Sequence, residues 1–297
     1  MATVGFIGLG NMGAPMVANL VKAGHRVKGF DLNAEACEAG RKAGAEIAAS
    51  AGAAAQDADC IITMLPAGKH VLGVYGDENG VMKHAPKGAL FIDCSTIDVD
   101  SARKAHQLAE VAGMQSLDSP VSGGVVGATA GTLTFMVGGT EAAFTRGQDF
   151  LKVMGARMVH CGAAGAGQAA KICNNMILGI SMTAVCEGIV LAEKLGLSHK
   201  ALFDVVSTSS GSCWSINKNS PMPGMVEGAA SNNNFRPGFM ADLMLKDLTL
   251  AVEAAKSSGA ACELGDHARK LYEAFSAAGH GGLDFSAMVQ DVRKRSE

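Results

Sequence analysis

Residues 3–24, TVGFIGLGNMGAPMVANLVKAG, hold the reading on which the fold depends. A β-branched apolar run gives way at Gly8-Leu9-Gly10-Asn11-Met12-Gly13 to a stretch whose apolar residues recur at helical spacing. The order is strand, tight turn, helix. In that setting the three glycines have distinct roles. Gly8 allows the turn, Gly10 lets the backbone approach a pyrophosphate, and Gly13 lets helix and strand pack closely. The helix that follows offers unpaired N–H groups at its positive end to the phosphates. Asn11 and Met12, inside the turn, count with the glycines as cofactor contacts. Alone the motif would be weak, because glycine-rich turns also serve packing.

Working outward, HRVKGFD (25–31) reads as a second strand ending in Asp31. An acid at that place can hydrogen-bond both ribose hydroxyls of NAD and repels a 2′-phosphate. Leu32 and Asn33 supply no compensating cation, so NAD is expected rather than NADP. Further strands are read at DCIITMLP (59–66), GALFIDCST (88–96), MQSLDSPVS (114–122), LTFMVGG (133–139) and ARMVHCG (156–162). Strands alternating with helices imply a parallel sheet covered on both faces. Met64, Leu65 and Thr96 then lie at strand ends, on the sheet edge where a dinucleotide rests.

The texture changes after Gly162. From 165 to 196 there is neither proline nor a convincing strand, which predicts one long helix of about 45 Å at 1.5 Å per residue. Segments 238–259 and 264–279 also carry helical apolar spacing. The expected architecture is α/β: an N-terminal Rossmann-type doubly wound sheet (1–163), then an all-α C-terminal domain (164–297) entered through the long helix. Two stretches, 122–131 and 209–224, read as irregular.

Composition narrows the function classes. Apolar residues make up 48% and charged ones 18% of 297, which suits packed domains and argues against disorder. A net charge of −3 gives no electrostatic reason to expect nucleic acid. The eight cysteines form no CxxC pair and the histidines show no HxxxH spacing, so neither a disulfide framework nor a metal site is expected. Residues 2–21 are uncharged, yet they lack a basic leader and are broken by glycines and Pro15, which argues against a signal peptide or membrane anchor. A soluble, cytoplasmic protein is expected. Helices apolar all round want partners, so a homodimer or homotetramer is expected as well.

The long helix opens with an anomaly. Between Arg157 and Glu187, Lys171 is the one residue certain to be charged at neutral pH. Asn174 and Asn175 stand one turn further on, at i+3 and i+4, on the same helical face. A snorkelling lysine with polar neighbours is the bland explanation. Proton transfer explains the cluster better, since hydride transfer between an alcohol and a nicotinamide needs a group that takes or gives the hydroxyl proton. A lysine serves if desolvation, the positive end of its helix and the oxidised cofactor ring draw its pKa toward about 7 to 8. DSPVSGG (118–124) adds a hydroxyl, Ser122, beside the N–H groups of Gly123 and Gly124, a nest suited to a carboxylate.

These stretches together resemble the β-hydroxyacid dehydrogenases nearly end to end. FIGLGNMGAPMVANL (6–20) is similar to their cofactor signature, DSPVSGG to their substrate signature, GAAGAGQAAKICNN (162–175) to their catalytic signature and LMLKDL (243–248) to their C-terminal lysine motif. The resemblance implies Lys171 as general acid/base. It implies Asn175 and Ser122-Gly123-Gly124 as substrate contacts, Thr96 as a cofactor contact and Lys246 as a contact to both cofactor and substrate. Within the family, 209–224 is most similar to members that oxidise 3-hydroxyisobutyrate, a step of valine catabolism, whereas NNNFRPGF (232–239) is closer to tartronate semialdehyde reductases. The leading expectation is NAD-dependent oxidation of 3-hydroxyisobutyrate to methylmalonate semialdehyde. The alternatives are reduction of tartronate or succinate semialdehyde and, more remotely, a nucleotide-binding sensor without turnover.

Overall fold

Short β-branched runs become strands buried on both faces. In the computed structural model, which describes residues 1–297, the chain divides into two units, Met1–Lys171 and Ile172–Glu297. The first unit runs β1 (Thr3–Ile7), α1 (Gly13–Lys22), β2 (Arg26–Phe30), α2 (Ala34–Lys42), β3 (Glu46–Ile47), α3 (Ala51–Ala55), β4 (Cys60–Thr63), α4 (Gly68–Gly76), α5 (Val81–His84) and β5 (Leu90–Asp93). It continues through α6 (Val99–Val111), β6 (Gln115–Asp118), β7 (Val121–Ser122), α7 (Gly124–Ala130), β8 (Leu133–Gly138), α8 (Glu141–Leu151) and β9 (Gly155–Gly162).

The strands form one sheet in the order β3-β2-β1-β4-β5-β6-β8-β7, with β9 on β8. From β3 to β6 all pairings are parallel, and the order reverses direction between β1 and β4. Ligands of such sheets bind at that switch point. Alternate residues feed two apolar layers. Cys60, Ile62, Leu90 and Ile92 join one face, Ile61 and Phe91 the other.

Three features differ from the sequence expectation. The sheet is not wholly parallel, because β8 runs antiparallel to both β6 and β7. Pro120, which has no N–H to donate to a ladder, separates β6 from β7 within the expected strand 114–122. Segment 122–131, read as irregular, contains helix α7, since Val125, Val126 and Ala128 between its glycines suffice for two turns. The two-residue strand β3 is too short to leave an alternating pattern.

The second unit is helical, as expected, with a single isolated bridge at Met240–Asp284. Helix α9 (Ala166–Lys194) enters it and is followed by α10 (His199–Val206), α11 (Trp214–Asn217), α12 (Ala241–Ser258), α13 (Glu263–Phe275) and α14 (Met288–Arg295). Its core gathers Met182, Cys186 and Ile189 from α9, Met244 and Leu248 from α12, and Tyr272 and Phe275 from α13. By length and composition alone α9 could cross a membrane. One side of it packs into the core just described: a Cβ on Gly179 would stand 3.0 Å from Met244 and Leu248 side-chain atoms. The units divide at Lys171, although the long helix was expected to belong whole to a second domain starting at 164. Its first turn is held by the sheet, as the next contacts show.

Candidate active site

The glycine turn after β1 has the geometry its spacing implies. Gly8 adopts φ +99°, and its N–H bonds the carbonyl of Phe30 at 2.9 Å. A Cβ on Gly13 would lie 1.9 Å from the Gly8 carbonyl oxygen, so helix and turn are in direct backbone contact. A Cβ on Gly10 would meet no protein atom within 4 Å. Helix α1 has no side-chain cap, since its N-cap residue Met12 makes none. Asp31 holds the turn from the neighbouring strand: its Oδ2 accepts from Leu9 N at 2.7 Å and its Oδ1 from Asn33 N at 2.9 Å. The arrangement is open to a dinucleotide: Gly10 and the uncapped start of α1 leave backbone N–H groups free of side-chain cover, and Asp31 keeps spare lone pairs. Exposed Asn11 flanks the turn. The Gly8 turn abuts the next strand-end loop, because a Cβ on Gly8 would lie 2.2 Å from the carbonyl oxygen of Met64.

Every buried polar or charged residue of the first unit (Thr63, Asp93, Ser95, Asp118, Ser119, Gln168 and Lys171) falls at the strand ends after β4, β5 and β6 or on the first turns of α9. Thr63 Oγ1 donates to Asp93 Oδ1 at 2.7 Å, and Ser95 N to the same oxygen at 3.1 Å. Ser95 Oγ accepts from Leu65 N at 2.8 Å, joining the 64–66 loop to the 94–97 loop. Half-buried Thr96 sits in that second loop. Gln168 straddles it, its Nε2 donating to Ser95 O at 2.7 Å and its Oε1 accepting from Ile97 N at 3.1 Å. Asp118 accepts from Gly165 N at 2.8 Å and Gln168 N at 2.9 Å, at the start of α9. This carboxylate meets the positive end of the helix.

Asp93 carries a consequence of its own. Burial, opposed by the Ser95 and Thr63 hydrogen bonds and reinforced by Asp118, pushes its carboxyl pKa up from 3.8 to about 6. Its neutral form is the one the fold tolerates, so its contribution is complete below about pH 4 and is lost as pH rises through about 6. Relative to wild type, Asp93→Asn should therefore gain roughly 2–3 kcal/mol of stability between pH 4.5 and 8. Urea midpoints across that range measure it, and a pH-independent difference would sink the assignment.

Lys171 is buried, one turn beyond Gln168 and on the same helical face. Ser122 ends β7 opposite Thr134, and Gly123 and Gly124 follow with φ of +131° and +59°. Asn19 of α1 donates to the Ala128 carbonyl at 2.7 Å, tying the cofactor helix to the helix behind that serine loop.

In the second unit the expected residues form a chain of contacts. Asn174 Nδ2 donates to Asn175 Oδ1 at 2.9 Å, and Asn175 Nδ2 donates to Asp247 Oδ2 at 2.5 Å. Lys246 Nζ lies 3.4 Å from Asp247 Oδ1, an ion-pair contact rather than an aligned hydrogen bond. Asn174 therefore supports Asn175, and Asp247 fixes which way the Asn175 amide points.

Asp118, Gln168 and Asp247 were not singled out from the sequence. Asp247 had a legible signal, because Met244, Asp247, Leu248 and Ala251 share the buried stripe of α12 and a carboxylate has no reason to be there unless paired.

The comparisons agree on kinship along the whole chain. A family model for the NAD binding domain of 6-phosphogluconate dehydrogenase matches residues 3–162. A second, described as NAD-binding of NADP-dependent 3-hydroxyisobutyrate dehydrogenase, matches 165–292. A probable 3-hydroxyisobutyrate dehydrogenase of Mycobacterium tuberculosis is 51% identical over 297 residues, covering 100% of both chains. The mitochondrial 3-hydroxyisobutyrate dehydrogenase of Homo sapiens is 44% identical over 98% of this chain and 87% of its own. A solved structure of Mycobacterium tuberculosis 3-hydroxyisobutyrate dehydrogenase with L-serine superposes with a TM-score of 0.95 at 51% identity, covering 99% of each chain.

Proposed function

Because the chain belongs to the 3-hydroxyisobutyrate dehydrogenase family, we propose that it oxidises 3-hydroxyisobutyrate to methylmalonate semialdehyde, with Lys171 taking the hydroxyl proton. The observation that carries this reading is the buried lysine one turn beyond Gln168, on a helix bonded to the strand-end loops after β5 and β6. A bound nicotinamide dinucleotide would supply the hydride acceptor for the carbinol carbon. Ser122 and the N–H groups of Gly123 and Gly124 receive the substrate carboxylate. Lys171 Nζ accepts the proton that leaves the hydroxyl and returns it in the reverse direction. Asn175 and Lys246 are proposed as further substrate contacts, and Gly8, Gly10, Asn11, Met12, Gly13, Asp31, Met64, Leu65, Thr96 and Lys246 as cofactor contacts.

The Asp31 carboxylate at the end of β2 supports NAD as the preferred dinucleotide, since a 2′-phosphate there would meet a like charge. Eight free thiols support the cytoplasmic reading. Exposed Ile177 and Leu191 on α9 support a homo-oligomer, which sedimentation would measure.

Steady-state rates over a panel of short hydroxyacids and their semialdehydes, each with both dinucleotides, test the function. We expect 3-hydroxyisobutyrate to give the highest kcat/KM, and NAD to exceed NADP by tenfold or more, about 1.4 kcal/mol. A higher kcat/KM for tartronate or succinate semialdehyde would reassign the substrate. Dinucleotide binding without turnover on any member would favour a sensor.

A further inference from the structure

The start of α9 is held in an unusual way. Helices α2, α3, α6, α8 and α10 take their side-chain cap from their own N-cap residues, Asn33, Ser50, Asp98, Thr140 and Ser198. Helix α9 takes its cap from Asp118, the last residue of β6, whose two oxygens accept from Gly165 N and Gln168 N at 2.8 and 2.9 Å. The carboxylate is itself oriented from α6: His106 Nε2 lies 2.9 Å from Asp118 Oδ1, and His106 Nδ1 lies 2.7 Å from Ser116 Oγ. The helix backbone comes into contact with the sheet at Gly167, where a Cβ would stand 2.3 Å from Met136 O and 2.6 Å from Asp118 O.

Gln168 supplies the second tether. Its amide bonds the two backbone groups on either side of Thr96, Ser95 O and Ile97 N, and Ser95 in turn receives Leu65 N. Local capping would satisfy the helix end without any of this. What the long-range tethers add is register: the β6–β7 segment leading to Ser122 and the loop carrying Thr96 are both bonded to the turn that precedes Lys171.

We propose that Gln168 and Asp118 are positioning residues for Lys171, setting where its Nζ stands relative to Thr96 and Ser122. The inference rests on the reading of Lys171 as the acid/base. It acts through geometry, since a misplacement of about 1 Å can cost on the order of 10²-fold in rate.

The test uses the full chain and the Gln168→Met substitution, which keeps the length of the side chain and removes both hydrogen bonds. Turnover is compared with NADH binding by fluorescence titration and with the thermal midpoint, in the wild-type and Lys171→Ala backgrounds. The expected result is a kcat lower by roughly 10- to 100-fold, with the hydroxyacid KM and the NADH Kd within about threefold. In the Lys171→Ala background the same substitution should change the residual rate by less than about threefold, the signature of two residues acting as one unit.

A kcat within about twofold of wild type, with only the midpoint lowered, would overturn the proposal. So would an equal loss in both backgrounds. If Gln168→Met does not fold, Asp118→Asn, which keeps the shape and one of the two acceptors, must show the same separation of kcat from KM and Kd. Unchanged turnover in Lys171→Ala itself would instead remove the base assignment, and this inference with it.

Discussion

Lys171→Met is expected to lower kcat by 10²- to 10⁴-fold, about 2.7 to 5.5 kcal/mol of barrier, while NADH binding stays within about threefold. Methionine keeps most of the aliphatic stem and its packing, so the change isolates the amine. Lys171→Arg sharpens the result. Arginine keeps the charge, yet its guanidinium cannot be discharged in a protein, so it cannot pass a proton in either direction. If the lysine served only to attract the substrate carboxylate, the arginine variant would retain most of the rate and lose little in KM. We expect it to be nearly as slow as the methionine variant. Near-normal turnover of Lys171→Met with intact cofactor binding would end its assignment as the acid/base.

The second large effect concerns folding and the cofactor together. In Gly13→Ala the new Cβ would lie 1.9 Å from Gly8 O and 2.9 Å from Gly8 C, both backbone atoms that cannot turn aside. Overpacking of that kind costs about 3 kcal/mol or more, which for a protein of this size lowers the thermal midpoint by roughly 5 °C or more. The turn that Asp31 and Phe30 hold would shift, and dinucleotide affinity should fall at least tenfold. Gly10→Ala makes the contrast. Its Cβ meets no protein atom within 4 Å, so the midpoint should stay within about 2 °C, since removing a glycine leaves only small backbone effects. Its NADH affinity should nevertheless fall by about tenfold or more, because the methyl occupies the surface a pyrophosphate would approach. Normal NADH binding by Gly10→Ala would show that the pyrophosphate does not lie there.

What could be read from the sequence follows the range of the interactions. The glycine turn, Asp31 and the helical spacing of Lys171 and Asn175 are local, governed by a handful of neighbouring residues, and their geometry is the one their spacing implies. Long apolar runs such as CIIT and LFID likewise announced strands covered on both faces. The reversal at β8 was less legible: Pro120 marks a break, but nothing in LTFMVGG states which neighbour it will pair with or in which direction. Least legible were Asp118 and Gln168. Their partners are 47 and 71 residues away in the chain, and a hydrogen bond across such a distance leaves no period in the sequence. Asp118 also sits before a serine and a proline, where an acid reads most simply as a turn former.

The division of α9 has a practical consequence for anyone exchanging units between relatives. The two family matches meet between residues 162 and 165, which invites a seam just ahead of the helix. A chimera joined there would take Asp118, Ser95 and Ile97 from one parent and Gly165, Gly167, Gln168 and Lys171 from the other. A seam at the boundary of the units, after Lys171, would keep those bonds within one parent and the Asn174–Asn175–Asp247 contacts within the other, so that each side inherits its own partners.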